Sequence, residues 1–198
     1  MSAIPHTLWI EDAAQIRALE SPMRQELVDA LTTLGPSSIS DLATHLGRNA
    51  DSLYFHIRKL VKVKLVVVVE QKKVGRHEFA IYAVPGRTAR LVYRPAVLRS
   101  IRKVVAGAVR LSVREFQRAI LVPDEVTQGP GRALWGGRVK GWLSETSLQE
   151  VNRHLEAIHQ LMNREGPGPD KRVFSMGWVL TPATVRDRKN ASTKRRST

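Results

Sequence analysis

The chain contains no cysteine. That excludes disulfides, thiolate metal sites and cysteine nucleophiles, and it fits a reducing compartment. Long apolar runs are missing too. The longest aliphatic stretch, Leu65 to Val69, falls far short of the roughly 20 residues that a membrane-spanning helix needs. The N-terminus has no basic segment leading into an apolar one, so no signal peptide is expected. A soluble cytoplasmic protein with no membrane partner is the resulting expectation. Acidic residues are scarce: 18 Asp and Glu stand against 32 Lys and Arg, a net charge of +14 over 198 residues. A surplus of that size points to a polyanionic partner, with nucleic acid the first candidate.

Catalytic patterns are also lacking. The sequence has no phosphate-loop glycine pattern and no nucleophile elbow. His154 and His159 are five residues apart, so they do not share a helical face as an i, i+4 metal pair would. His6, His45, His56 and His77 are scattered. The expectation is a non-enzyme without cofactor or metal. What remains is a globular composition, 42% hydrophobic and 25% charged, in a chain long enough for one medium domain or two small ones.

Local signals organise the first half. Order is expected from about Asp12. Ser21-Pro22 reads as a helix start, with Pro at the first position, where its missing N–H costs nothing. Leu27, Val28, Leu31 and Leu34 follow along one face, and Gly35-Pro36 ends the helix. Ser38 opens the next helix, with Asp41 three residues on as a shortened capping box. Gly47 fits the left-handed position that ends it, and Asn49 can cap a third helix with Leu53, Ile57 and Leu60 as its apolar stripe. The period then changes. Leu65 to Val69 and Phe79 to Ala83 read as two strands around a polar, glycine-containing tip, a hairpin.

Three helices with a tight turn between the last two, followed by a hairpin, form the arrangement of a helix-turn-helix with a β-wing. Two segments carry a closer resemblance. "ALESPMRQELVDAL", Ala18 to Leu31, is similar to the first helix of ArsR-like winged-helix transcriptional regulators. "SISDLATHLGRNADSLYFHIRKLVKVKLV", Ser38 to Val66, resembles their helix-turn-helix. Together with the hairpin the match spans roughly residues 18 to 84. The family usually has Gly before the wing, where this chain has Lys64. The resemblance implies double-stranded DNA as partner and a homodimer reading an inverted repeat. It places the reading positions on Ala50, Asp51, Tyr54 and Phe55, with Arg58 nearby. His56 matches the family's recognition-helix histidine.

A major groove admits one helix, whose outward residues meet base edges. The candidate DNA-contacting set is Ser38, Asn49, Ala50, Asp51, Ser52, Tyr54, Phe55, Arg58, Lys59 and Lys62, joined by the wing residues Lys72, Lys73 and Arg76. From Arg58 to Arg76 seven cations stand against one acid, Glu70, which suits phosphate contact.

Val84-Pro85-Gly86 marks a boundary. A long helix is expected from about Arg94 to Val122. One side carries Leu98, Ile101, Val105, Ala108, Ser112, Phe116 and Ala119, the opposite side Arg99, Lys103, Arg110 and Arg114. Its apolar side is the expected dimer contact. Residues 123–131 read as a loop and Arg132 to Leu143 as an irregular strand. A helix capped by Ser144 runs to about Glu165, with Leu148, Val151, Leu155, Ile158 and Met162 as its core stripe. Val173 to Leu180 reads as a final strand. Trp135, Trp142 and Trp178 leave room for a pocket that takes an unidentified small-molecule effector. The tail from Arg186 to Thr198 carries six cations and one acid without apolar periodicity. The expected class is α+β. Residues 10–86 form a winged helix-turn-helix DNA-binding domain, 87–181 a C-terminal α+β dimerisation and effector region with one long helix, and 182–198 a disordered basic tail.

Overall fold

A computed structural model describes residues 7–74, 77–86 and 88–184. The expected tail beyond residue 184 lies outside the described residues. The N-terminal part is built from short helices whose ends are set by local chemistry. β1 (Thr7–Ile10) leads to Asp12, whose carboxylate accepts from the backbone N–H of Ala14 and Gln15 and starts α1 (Ala13–Ala18). α2 (Pro22–Leu34) begins with Pro22 as expected, although Ser21 makes no side-chain cap. It ends at Gly35, whose φ is 79°. β2 (Ser37–Ser38) then runs into α3 (Ile39–Leu46), opened by a full capping box between Ser38 and Asp41.

α4 (Ala50–Lys62) is bracketed by two chain reversals of the same kind. At its entry Gly47 is left-handed, and the N–H groups of Gly47 and Arg48 donate to the carbonyls of Thr44 and Ala43. At its exit Lys64 is left-handed, φ 58°, and the N–H groups of Lys64 and Leu65 donate to Val61 and Leu60. Both are Schellman closures, which favour glycine at the left-handed residue. Lys64 occupies that position at a cost in backbone strain. Lys64→Gly is therefore expected to raise stability by about 0.5–1 kcal/mol, measured as a higher urea midpoint with an unchanged slope. A lower midpoint would mean that the lysine side chain outweighs the strain.

α1 to α4 enclose a core in which Ile16, Leu27, Leu31, Leu42, Leu53, Ile57 and Leu60 are fully buried, together with Leu65 and Val66 from the turn into the wing. Each such side chain contributes roughly 1.5–3 kcal/mol by leaving water. β3 (Val67–Val74) and β4 (His77–Ala83) form the antiparallel hairpin. β2 pairs with the free edge of β4, giving the order β2-β4-β3. The pairing skips Val69, a bulge that bends β3. Strand β3 starts two residues later than the apolar run and extends through its polar half, where Glu70 to Val74 pair with β4.

β5 (Thr88–Leu91) pairs in parallel with β1, Thr7 opposite Thr88 through Ile10 opposite Leu91. Sequence reading placed no strand in either segment. A short 3-10 turn (Pro95–Val97) leads into α5 (Leu98–Ala119). α5 packs on α1 and α2 through a face turned from the one the sequence periodicity selected, with Ile101 and Val105 common to both. The buried residues are Ile101, Val104, Gly107 and Leu111, while Leu98 and Ala108 are exposed. The reason is a polar clamp. The buried Gln25 amide of α2 donates to the carbonyls of Leu19 and Val104. A side chain at Gly107 would meet that amide at 2.7 Å. Only a helix rotated to put glycine on the clamp can approach so closely.

The last third departs further from expectation. α6 (Glu145–Met162) is capped by Ser144 as expected, yet none of its residues is fully buried. Val151, Leu155 and Ile158 are half-buried, and Leu148 and Met162 are exposed. Arg132 to Leu143 and Val173 to Leu180 are not strands; both run without regular secondary structure. Their strand-like composition has no partner to pair with, and a strand exists only as one member of a ladder. No described helix is long and apolar enough to cross a membrane.

Candidate nucleic-acid interface

Burial of Leu53, Ile57 and Leu60 fixes the rotation of α4. Tyr54, Phe55, Arg58, Lys59 and Lys62 are consequently exposed. Phe55 is 57% exposed, an unusual place for a phenylalanine without a partner. Lys59 lies over its ring at 4.3 Å, so an aromatic surface and a charge share one patch. Arg58 donates back to the Tyr54 carbonyl at 3.4 Å, which lays its guanidinium along the helix.

The N-terminal end of α4 is mostly committed to its own structure. The Asn49 side chain caps the helix by accepting from Asp51 N–H at 2.9 Å. The Ser52 hydroxyl donates to the Asn49 carbonyl at 2.6 Å. Asp51 sits exposed in the first turn, where a carboxylate suits the helix dipole. Ala50 is half-buried against the core. Ser38 is buried, and its hydroxyl donates to Asp41 at 2.7 Å. These bonds hold the Asp41 carboxyl below the usual carboxylate range.

The β3–β4 hairpin follows α4 along the chain. Lys72 and Lys73 are exposed on β3; Lys72 pairs with Glu70 at 3.5 Å, and Lys73 lies opposite Glu78. Arg76 lies outside the described residues. The structure thus brings Tyr54, Phe55, Arg58, Lys59 and Lys62 onto one exposed helix face, and sets Ser38 apart in a buried cap.

Two neighbours escaped the sequence reading. Tyr82 of β4 is half-buried close to Tyr54 and Arg58; burial raises its hydroxyl pKa, Tyr54 adds to the rise and Arg58 opposes it. Only the β2–β4 pairing, which sets Tyr82 opposite Ser37, brings it there. Arg48, in the turn before α4, lies 3.8 Å from the buried Glu26 of α2, which also pairs with Arg114 of α5. One carboxylate therefore ties the turn to α5. A buried acid in a helix otherwise apolar on that side was the available signal.

His56 is half-buried on α4, its ring edge-on to Phe55, and its Nδ1 is buried without a hydrogen-bond partner among the described residues. Burial lowers its pKa from the ordinary 6.5, with Arg24 and Lys59 adding to the effect. The folded state thus favours the neutral ring. As pH falls below about 6.5 the unfolded chain takes up a proton more readily, so stability declines with acidification. His56→Gln is expected to flatten this dependence. Urea midpoints from pH 7.5 to 5 check it, and an unaltered slope would remove His56 as its source.

Among the described residues no group of three or more His, Asp or Glu could hold a metal ion. A family model described as a helix-turn-helix domain matches residues 19–69, the span from the end of α1 into β3. No curated protein matches the chain.

Proposed function

We propose that the chain is a sequence-specific transcriptional regulator of the ArsR-like type that binds double-stranded DNA as a homodimer on an inverted repeat. The observation that carries this reading is the outer face of α4. Tyr54, Phe55, Arg58 and Lys59 project together from a helix seated by Leu53, Ile57 and Leu60. In this reading α4 enters the major groove, Arg58 meets guanine or phosphate, and the two aromatics meet thymine methyls. Lys62, Lys72, Lys73 and Arg76 contact the backbone or the adjacent minor groove. Asn49 and Ser38 act by fixing the helix starts, and Ala50, Asp51 and Ser52 lie at the groove-facing end. Residues 10–86 form the DNA-binding unit, 87–181 the dimerising and effector region, and 182–198 a basic tail. The protein works without cofactor in the cytoplasm.

The family-model match over 19–69 supports the helix-turn-helix part of this reading. The +14 charge also favours a second reading, a non-specific architectural protein that coats DNA. Selection from randomised duplex at near-physiological salt separates the two. A specific reader enriches an inverted repeat and keeps an advantage of about a thousandfold or more over random sequence. Phosphate-only binding enriches nothing and weakens with salt alike on all sequences.

A further inference from the structure

The parallel pair β1–β5 has two unlike faces. Alternation along the strands turns Leu8 and Ile10, with Ala89 and Leu91, toward the core. It turns Thr7 and Trp9, with Thr88 and Arg90, the other way, toward α6. Glu156, His159 and Gln160, on one face of α6, lie across from them. A helix laid on a sheet ordinarily closes the gap with apolar side chains. Here the two polar faces leave a cleft of about 560 Å³, within the range of small-molecule sites. Trp135, Trp142 and Trp178 do not line it; Trp178 packs edge-on to His159, ring centroids 6.4 Å apart.

Charge and shape select the occupant. Two cations, Arg90 and Arg164, face one carboxylate, Glu156, among the lining residues. Hydrogen bonds from Arg90 and Gln160 hold the Glu156 carboxyl below its usual range, so it is ionised at neutral pH. Burial lowers the pKa of His159, with Arg90 adding to the fall and Glu156 opposing it, so the ring is neutral there. Glu165, 3.8 Å from Arg164, is nearer to Lys171 at 3.1 Å and stands outside the lining. The cleft therefore has room for one more negative charge. Arg90 carries five N–H donors and makes one side-chain hydrogen bond among the described residues, to Glu156 at 2.7 Å. The remaining donors suit a second carboxylate. Trp9 lies opposite Arg90 in the ladder, about 4.8 Å away across the strands, and is 57% exposed. A flat ring can lie against that indole while its acid group meets the guanidinium. The His159 side chain makes no hydrogen bond among the described residues, and its Nε2 is buried without a partner. Turning that nitrogen toward a bound acid gives up no bond.

We propose that this cleft binds a small aromatic monocarboxylate, its acid on Arg90 and its ring on Trp9. The site gives the effector region proposed above a definite place, and rests on that reading only for an effect on DNA. Glu156 sets the affinity: it occupies one donor of Arg90 and repels the incoming charge.

Titrating benzoate into the isotope-labelled full chain, with amide and indole N–H resonances followed by NMR, tests this. The expected result is a dissociation constant of about a millimolar or tighter, with shifts centred on the Trp9 indole and on Arg90 and His159. Benzamide keeps the ring without the charge, and inorganic phosphate keeps charge without the ring. Both are expected to bind at least about tenfold more weakly. Arg90→Gln is expected to weaken benzoate binding about tenfold, and Glu156→Gln to tighten it about threefold or more. A fold defect would not tighten binding, so the second variant guards the first. No saturable binding up to about 10 mM would overturn the site. Benzamide binding as well as benzoate, or Glu156→Gln without tightening, would overturn the assignment of a carboxylate to Arg90. Shifts centred instead on the apolar groove lined by Val105, Val109 and Leu180 would also overturn the proposal. DNA is absent from every arm, so each outcome leaves the reading of α4 to its own test.

Discussion

Arg58→Ala is expected to weaken binding to the selected DNA site by about ten- to a hundredfold, while binding to random duplex changes far less. The argument starts from exposure. Arg58 lies on the outer face of α4 and makes no ion pair among the described residues. Its removal leaves the core untouched, so stability should shift by no more than about 0.5 kcal/mol. A loss of affinity would then be a loss of contact and not of fold. Titration of wild type and variant on the selected site and on random duplex, at two salt concentrations, reads the outcome. An equal loss on both DNAs with a shallower salt dependence would assign Arg58 to phosphate instead of a base. Unchanged binding to both would mean that α4 is not the reading helix. Phe55→Ala makes a useful companion. It is expected to keep stability and to lose affinity most where the site carries thymine.

Ile57→Ala should have the largest effect on stability, about 2–5 kcal/mol. Ile57 is fully buried and lies one turn from both Leu53 and Leu60 on the inner stripe of α4. Truncation removes apolar contacts and leaves a cavity between helices held by their own caps, which limits collapse. Urea unfolding measures the loss, and a change under 1 kcal/mol would mean that the core relaxes around the gap. Binding to the selected site should weaken with it, because the same stripe sets the rotation that exposes Arg58. Together the two variants separate what α4 rests on from what it presents.

The N-terminal architecture was legible because its signals are local. Asp41 three residues after Ser38, Gly47 in a left-handed turn and Asn49 at a helix start each act within one turn of chain. The exposed face of α4 followed from the spacing of Leu53, Ile57 and Leu60. Other features were not legible, because they depend on partners far along the chain. Strands β1 and β5 are four residues each, and they form only because residue 7 meets residue 88. The inner face of α5 differs from the strongest apolar stripe because Gln25, about eighty positions earlier, demands glycine opposite it.

The sequence by itself determined the charge balance, the cysteine-free chemistry, the helix starts and stops, and the order of helices and hairpin. Those are properties of composition and of neighbours three or four residues apart. Tertiary structure alone decided which side of α5 is buried and placed Tyr82 close to Tyr54 and Arg58 of α4. It also bound Glu26 to both Arg48 and Arg114. The same level of structure left 134–143 and 172–180 without a ladder. Strand propensity is written residue by residue, whereas a ladder needs a second backbone at hydrogen-bonding distance, and only the folded arrangement of chains can supply it.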